Sequence, residues 1–109
     1  MLESVLGSVN RERVLLFIFC RGDGYARQIA GFFATGLAPI QKQLDRLEAG
    51  GVLASRKAGR TRLYSFDPRC PFLKELKALL KKVMIFCPDE LRERLVMNRR
   101  RPRIRQNPL

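Results

Sequence analysis

The sequence contains no histidine, and this absence removes the side chain that proteins use most often as a general base and as a metal ligand. It also lacks a pair of carboxylates spaced for acid–base catalysis, and it has no glycine-rich loop of the kind that binds phosphate groups. We therefore expect a protein that is not an enzyme, that requires no cofactor and that holds no metal ion.

Cysteine and long apolar runs are scarce as well. The three cysteines, Cys20, Cys70 and Cys87, are odd in number and form no CxxC pair, a usage typical of a reducing compartment. We expect Cys20 to lie in the core and the other two, which stand beside prolines, to be partly exposed. The longest apolar run, 14–20, is far shorter than the ~20 residues that span a bilayer. Since the first nine residues also lack the basic segment of a signal peptide, we expect a cytoplasmic protein without membrane contact.

Positive charge dominates what is present. The 109 residues include 22 Lys and Arg against 10 Asp and Glu, which gives a net charge of +12. Such an excess attracts a polyanion, and nucleic acid is the commonest one. Arginine outnumbers lysine by 16 to 6, and because the guanidinium group matches phosphates and guanine edges, this bias favours nucleic acid. A ribosome or an anionic membrane surface would also fit the net charge, and a GC-rich genome would give the same preference for arginine over lysine.

Hydrophobic spacing predicts one mainly α (α+β) domain at 1–97, followed by a basic tail at 98–109 with five arginines and no acid. The tail is either a flexible DNA arm or a grip on a partner subunit. A very short turn joins two helices, and a β-hairpin follows them, which is the order of a winged helix-turn-helix. The predicted elements are a short N-terminal helix, a helix that begins at the N-cap Asn10, a helix at 25–34, a helix from Leu37 to Gly50, strands at 52–56 and 61–66, a helix from Pro71 to about Phe86, and a short helix after Pro88.

The helix at about 37–49 is the predicted reading helix, which enters the major groove of DNA. Ile40, Leu44 and Leu47 are spaced four and three residues apart and therefore share an inward face. The opposite face carries an amide, cations and the acid Asp45, and its first residues are small enough for close approach to a groove. For any single residue, an ordinary solvated helix face remains the alternative. The predicted DNA contacts on this helix are Ala38, Pro39, Gln41, Lys42 and Arg46.

The hairpin tip supplies a second group of cations within 56–62, next to the reading helix. Gly59 is free to take the positive φ that a tight hairpin turn needs. A wing of this kind lies along the phosphate backbone or inserts an arginine into the minor groove, whereas a solubilising turn is the alternative. The predicted DNA contacts on the wing are Arg56, Lys57, Arg60 and Arg62.

The predicted helix that begins at Pro71 has more apolar residues than one face of a small domain buries. We interpret the surplus as a dimerisation surface shared with the N-terminal helix, since a palindromic DNA site requires a homodimer. An intramolecular core is the alternative. The apolar residues are Leu76, Leu80 and Val83 on one stripe, with Phe72, Leu79 and Phe86 nearby.

Together, the segments 26–30, 40–53 and 56–64 resemble the winged helix domains of the ArsR-like and MarR-like bacterial transcription regulators. The segment 67–77 resembles winged helix domains that are often encoded beside small nucleotidyltransferases. This chain has no nucleotidyltransferase motif of its own, so the resemblance implies only the DNA-binding function. Metal-sensing ArsR-like proteins place Cys and His ligands together on a helix or at the dimer interface. This sequence has no such set of ligands, so metal sensing is not expected.

Three functions follow as hypotheses. The first is a dimeric repressor that binds double-stranded DNA. The second, suggested by the segment 67–77, is a protein-interaction module that partners a nucleotidyltransferase in an antitoxin-like or regulatory role. The third is an RNA or ribosome binder, which ranks lowest because Tyr64 is the only aromatic candidate for stacking with bases on an exposed sheet.

Overall fold

The computed structural model describes residues 1–96, and the predicted basic tail at 98–109 lies outside these described residues. Five helices have defined bounds, and residues 89–96 are also helical; we call this last segment α6. Within residues 1–96, no helix has the length and apolar character needed to cross a membrane. The helices are α1 (Glu3–Leu6), α2 (Val9–Arg21), α3 (Ala26–Phe32), α4 (Leu37–Ala49) and α5 (Leu73–Phe86).

The start of α2 differs from the prediction. Ser8 is the N-cap, because it has an extended backbone and its Oγ accepts a hydrogen bond from the Arg11 amide at 3.2 Å. Asn10 lies inside the helix, where its Oδ1 accepts from Arg13 Nη1 at 3.0 Å. The assignment of Asn10 as the N-cap was therefore wrong by two residues.

The helix-turn-helix consists of α3, a short turn and α4. Tyr25 precedes α3, and its amide donates to Gln28 Oε1 at 3.2 Å, so α3 is shorter at both ends than the predicted 25–34. Ala34 has a φ of +53°, the left-handed conformation that reverses the chain within the turn. Pro39 falls in the first turn of α4, where no intrahelical amide bond is lost.

The two strands, β1 (Leu53–Ala58) and β2 (Thr61–Phe66), pair antiparallel. Ala58 lies opposite Thr61, so Gly59-Arg60 forms the turn, and Gly59 has a φ of +67°. The predicted strands at 52–56 and 61–66 left four residues, 57–60, for the tip, so the observed turn is two residues shorter. Gly24 forms an isolated β-bridge with Tyr64 of β2, which the sequence did not indicate.

The core surrounds α2. Phe17 on α2, Ile29 on α3, Leu44 on α4 and Leu80 on α5 are all fully buried, so each long helix contributes to a single core. The predicted inward face of α4 is confirmed, since its three leucine and isoleucine positions are buried. Leu95 of α6 is also fully buried.

Two of the three cysteines lie deeper than expected, whereas Cys20, expected in the core, is only half-buried. Cys70 and Cys87 are both buried, so the expectation that they are partly exposed was wrong. Cys87 belongs to the core cluster at the end of α5, and its Sγ donates to the Met84 carbonyl at 3.5 Å. Cys20 is half-buried, with its Sγ 3.6 Å from Met84 Sδ.

Candidate nucleic-acid interface

The outer face of α4 presents its predicted contact residues to solvent. Ala38 and Pro39 at the start of the helix are exposed, and so are Lys42 and Arg46 one and two turns later. No hydrogen bond or ion pair engages the Lys42 or Arg46 side chain within residues 1–96. These two cations are therefore available to an anionic ligand without first breaking an internal contact.

Gln41 behaves differently from its neighbours on α4. It is half-buried, because its Nε2 group donates to Asp45 Oδ1 at 2.9 Å and to the Tyr64 hydroxyl at 3.2 Å. The first contact links successive turns of α4, and the second links α4 to β2. Gln41 therefore joins the reading helix to the base of the wing, a role that the sequence did not reveal.

Tyr64 is the anchor of this connection. Its backbone exchanges two hydrogen bonds with Gly24, Gly24 N to Tyr64 O at 3.0 Å and Tyr64 N to Gly24 O at 2.8 Å. Its side chain is buried, so it does not present a ring for stacking with bases. A buried tyrosine needs a partner for its hydroxyl group, and Gln41 supplies one. The three segments that carry Gly24, Gln41 and Tyr64 are thereby held together.

Two of the four wing cations already have contacts within the protein. Arg56 Nη2 lies 3.6 Å from Asp23 Oδ2, in an ion pair that remains largely exposed. Arg62 Nη1 donates to Ser55 Oγ at 3.0 Å, and that hydroxyl donates to Glu48 Oε2 at 2.7 Å. Through these contacts, the wing is tied to the loop before α3 and to the last turn of α4.

Lys57 and Arg60 have no such contacts. Both are exposed near the tip of the hairpin, and within residues 1–96 neither side chain takes part in a hydrogen bond or ion pair. The four predicted wing contacts therefore fall into two pairs. Arg56 and Arg62 contact other groups of the protein, whereas Lys57 and Arg60 make no such contact within residues 1–96.

The chain leaves the wing through a turn closed by Asp67. This carboxylate accepts from the Arg69 amide at 2.9 Å and from its guanidinium group at 3.2 Å. The hydrogen bonds from the Arg69 side chain, followed by that from its amide, hold the pKa of Asp67 below its usual value. The Asp67 amide donates to the Val52 carbonyl at 2.9 Å, so the turn also closes the open end of the hairpin.

The outer side of α5 carries exposed apolar residues. Phe72, Leu79 and Phe86 are spaced seven residues apart and are 50%, 37% and 65% exposed. Seven residues are nearly two helical turns, so these side chains form one stripe along α5. Val5 on α1 is exposed as well. The surplus of apolar residues predicted for this helix does lie on its surface.

A cavity of about 450 Å³ lies between α2, α5 and the segment that leads into α6. Its walls are mainly apolar and include Leu16, Phe33 and Val83, with Glu12 as a buried acid. Glu12 Oε1 accepts from the Leu2 amide at 3.0 Å, so this carboxylate holds the start of the chain on α2. Among residues 1–96, no cluster of acids and cysteines is arranged to hold a metal ion.

Comparison with known proteins shows similarity in structure only. No protein-family model matches the sequence, and no curated protein matches it. A solution NMR structure of the homodimeric winged helix-turn-helix DNA-binding domain of Mb0332 from Mycobacterium bovis, a possible ArsR-family transcriptional regulator, has a TM-score of 0.56 at 22% identity. The match covers 75% of this chain and 73% of that one.

ZitR from Lactococcus lactis is similar over nearly the whole chain. A doubly substituted variant in its apo form has a TM-score of 0.55 at 17% identity, covering 96% of this chain and 86% of that one. A second structure of the variant has a TM-score of 0.52 at 18% identity, covering 97% and 79%. The predicted fold is thus confirmed: this chain is a mainly α winged helix-turn-helix with a two-stranded β-hairpin wing.

Proposed function

We propose that the protein is a transcription regulator that binds double-stranded DNA as a homodimer and acts as a repressor. In this proposal α4 enters the major groove, and the wing at 56–62 contacts the phosphate backbone or the minor groove. The protein has no catalytic role and works in the cytoplasm. The observation that carries the proposal is that α4 and the wing each present exposed cations with no internal partner within residues 1–96, Lys42 and Arg46 on α4 and Lys57 and Arg60 on the wing.

The geometry of α4 supports groove entry. A recognition helix places the residues of its N-terminal part against base edges. In the first turn of α4, Leu37 is followed by the exposed pair Ala38-Pro39, whose side chains are small. Lys42 follows one turn later and Arg46 after another turn. Both side chains are long enough to reach either base edges or phosphates.

The cations of the wing support contact with the phosphate backbone of DNA. Arg56 and Arg62 bind groups of the protein itself, which reduces the freedom of the hairpin before DNA arrives. Lys57 and Arg60 at its end remain available. We therefore assign the stronger phosphate contacts to Lys57 and Arg60, and a weaker, positioning contribution to Arg56 and Arg62.

The apolar stripe on α5 supports the homodimer. A soluble monomer rarely leaves a row of large apolar side chains exposed without a partner, and Phe72, Leu79 and Phe86 form such a row. A second copy of this chain is the occupant that a two-fold DNA site requires. The homodimeric state of the similar domain from Mycobacterium bovis agrees with this assignment.

The nucleotidyltransferase partner remains a prediction from the sequence. The contacts of the segment 67–77 are explained by its own structure, since Asp67 and Arg69 close the turn between the wing and α5. The similar structures from Mycobacterium bovis and Lactococcus lactis add no support for such a partner. The prediction of this partner therefore rests on the sequence of the segment 67–77 alone.

Binding to duplexes drawn from a randomised pool, followed by titration with salt, tests the proposal. The logarithm of the binding constant falls with the logarithm of salt concentration, with a slope of roughly −0.9 for each phosphate neutralised. We expect Lys42→Ala and Arg60→Ala each to weaken binding and to reduce the slope by about 1. The matched control is Lys81→Ala, which removes an exposed cation from α5 instead.

Equal losses in all three variants would show that bulk charge alone drives binding and would overturn the assignment to α4 and the wing. Failure of the unmodified protein to select any duplex would overturn the proposal as a whole. Repression is tested separately, by placing the selected duplex over the promoter of a reporter gene. The reporter output should fall when the protein is present.

A further inference from the structure

The side-chain amide of Gln41 has a fixed orientation. Asp45 Oδ1, 2.9 Å away, belongs to a carboxylate that only accepts hydrogen bonds when ionised, so the group of Gln41 that faces it must be the NH₂. The second hydrogen of that NH₂ is directed at the Tyr64 hydroxyl, 3.2 Å away. Both donors of Gln41 are therefore engaged within the protein.

The acceptor atom of the Gln41 side chain, Oε1, is not used within the described residues. Within residues 1–96, no hydrogen bond to its Oε1 is present. Gln41 is half-buried, and it stands on α4 among the exposed residues Ala38, Lys42 and Asp45. A glutamine that reads adenine through two hydrogen bonds needs one donor for N7 and one acceptor for N6. Here the donor is already occupied, so only the acceptor is available.

We propose that Gln41, held by Asp45 and Tyr64, offers Oε1 as a single acceptor to one base and so selects an amino base, adenine or cytosine, over a keto base. In the major groove, adenine N6 and cytosine N4 are donors, whereas guanine O6 and thymine O4 are acceptors that Oε1 repels. This inference rests on the proposed function, because it requires α4 to lie in the major groove.

The same contacts explain why an acid, Asp45, is present on this face of α4. An acid is unfavourable near phosphates, yet Asp45 is exposed on the outer face of α4. By accepting from Gln41, it prevents the amide from reversing and presenting NH₂ to the DNA. Tyr64 is buried and anchored to Gly24, so it holds the second hydrogen in a fixed place. Asp45 and Tyr64 are thus positioning residues that act through Gln41.

Selection from a fully randomised duplex pool, followed by sequencing, is the test. For the unmodified protein we expect one position at which adenine and cytosine together exceed guanine and thymine by about fivefold to tenfold, the effect of one good hydrogen bond. Gln41→Ala should abolish the preference at that position and leave the others. Selection of a sequence in which no position depends on Gln41 would overturn this inference and leave the proposed function standing.

Two further variants separate an orienting role from a structural one. Tyr64→Phe frees one N–H of Gln41, which should narrow the preference from adenine or cytosine to adenine alone. Asp45→Asn allows the amide to reverse, which should admit guanine and thymine. An unchanged base preference in both variants would show that the amide is not held as proposed, and would overturn the inference.

Gln41→Glu provides a further control, in which the Tyr64 hydroxyl keeps a partner by donating to the new carboxylate. Glutamate only accepts hydrogen bonds at neutral pH, so the preference for amino bases should persist although overall affinity falls. Selection of guanine or thymine at that position by the unmodified protein, with a switch to adenine or cytosine in Gln41→Glu, would show that Gln41 reads through its NH₂, contrary to the proposal. If the unmodified protein selects no sequence at all, both this inference and the proposed function fail.

Discussion

The surface formed by α4 and the wing differs from the surface of α5 in how far the protein organises its own side chains. On the first, Gln41 is held by Asp45 and Tyr64, and Arg56 is paired with Asp23. On the second, the stripe that contains Phe86 is simply exposed. Polar groups can satisfy one another locally and still face a ligand, whereas an exposed apolar group gains only when another surface covers it. The first surface therefore suits a polar ligand, whereas the second gains free energy only when an apolar surface covers it.

The largest expected effect comes from breaking the apolar surface. Phe72→Glu together with Phe86→Glu places charges at both ends of the stripe, so we expect sedimentation velocity to show monomers. Loss of the second DNA-binding unit should weaken binding to a two-fold site by about 100-fold. The matched control, Ile85→Glu, also changes an exposed apolar residue of α5, about 100° around the helix from Phe86. A double variant that stays dimeric would place the dimer contact elsewhere.

The next effect concerns the anchor of the wing. In Gly24→Ala the added Cβ would lie 2.9 Å from Phe17 Cε1 and 3.2 Å from Ile29 Cδ1, and both side chains are fully buried. We expect the free energy of unfolding, measured with urea, to fall by about 1–3 kcal/mol. Gly31→Ala is the control, because its Cβ meets nothing within 4 Å and alanine favours a helix by roughly 0.5–1 kcal/mol. If Gly24→Ala and Gly31→Ala changed the free energy of unfolding by the same amount in the same direction, the packing argument would be contradicted.

A smaller effect should separate the two kinds of wing cation. Arg60 has no partner within residues 1–96, whereas Arg56 is paired with Asp23. Arg60→Ala should therefore weaken duplex binding several-fold and lower the salt slope by about 1. Arg56→Ala should do less, because the Asp23 pair already offsets part of its charge. Both affinities are measured by fluorescence anisotropy at several salt concentrations. A larger loss of affinity in Arg56→Ala than in Arg60→Ala would contradict the division of the wing cations into residues with and without internal contacts.

The smallest effect is a pH dependence at the exit of the wing. The pKa of Asp67 is lowered from 3.8 in the folded state, chiefly by hydrogen bonds from Arg69. Its stabilising contribution is therefore complete above pH 3.8 and is lost as the pH falls through the lower, folded value. We expect Asp67→Asn to lower the Tm at neutral pH and to match the unmodified protein in strong acid. The control is Glu93→Gln, an exposed acid in no ion pair within residues 1–96, which should lower the Tm at neither pH.

Local patterns were enough to predict most of the fold. The inward face of α4 follows from the spacing of Ile40, Leu44 and Leu47, and the hairpin follows from Gly59 between two short strands. The N-cap of α2 was missed, because Ser8 and Asn10 are both good capping residues and only the backbone geometry distinguishes them. The end of α3 was missed because the chain reverses at Ala34 and not at a glycine.

The candidate interface was predictable in its members but not in its organisation. Exposure of Lys42, Arg46 and Arg60 follows from helical geometry and from a hairpin tip. The contact of Gln41 with Tyr64 joins residues that are 23 positions apart, and that of Arg56 with Asp23 joins residues that are 33 apart. No periodicity reports such pairs, because they depend on how α4, the hairpin and the loop before α3 pack around α2.

The sequence by itself therefore determined the order of the elements, the inward face of α4 and the excess of positive charge, since each depends on residues that are close together in the chain. Only the tertiary structure decided which cations are occupied, which way the Gln41 amide faces and which apolar side chains of α5 remain exposed. The physical reason is that hydrogen bonds, ion pairs and burial are set by distances between elements. Those distances exist only once the shared core around Phe17 has formed.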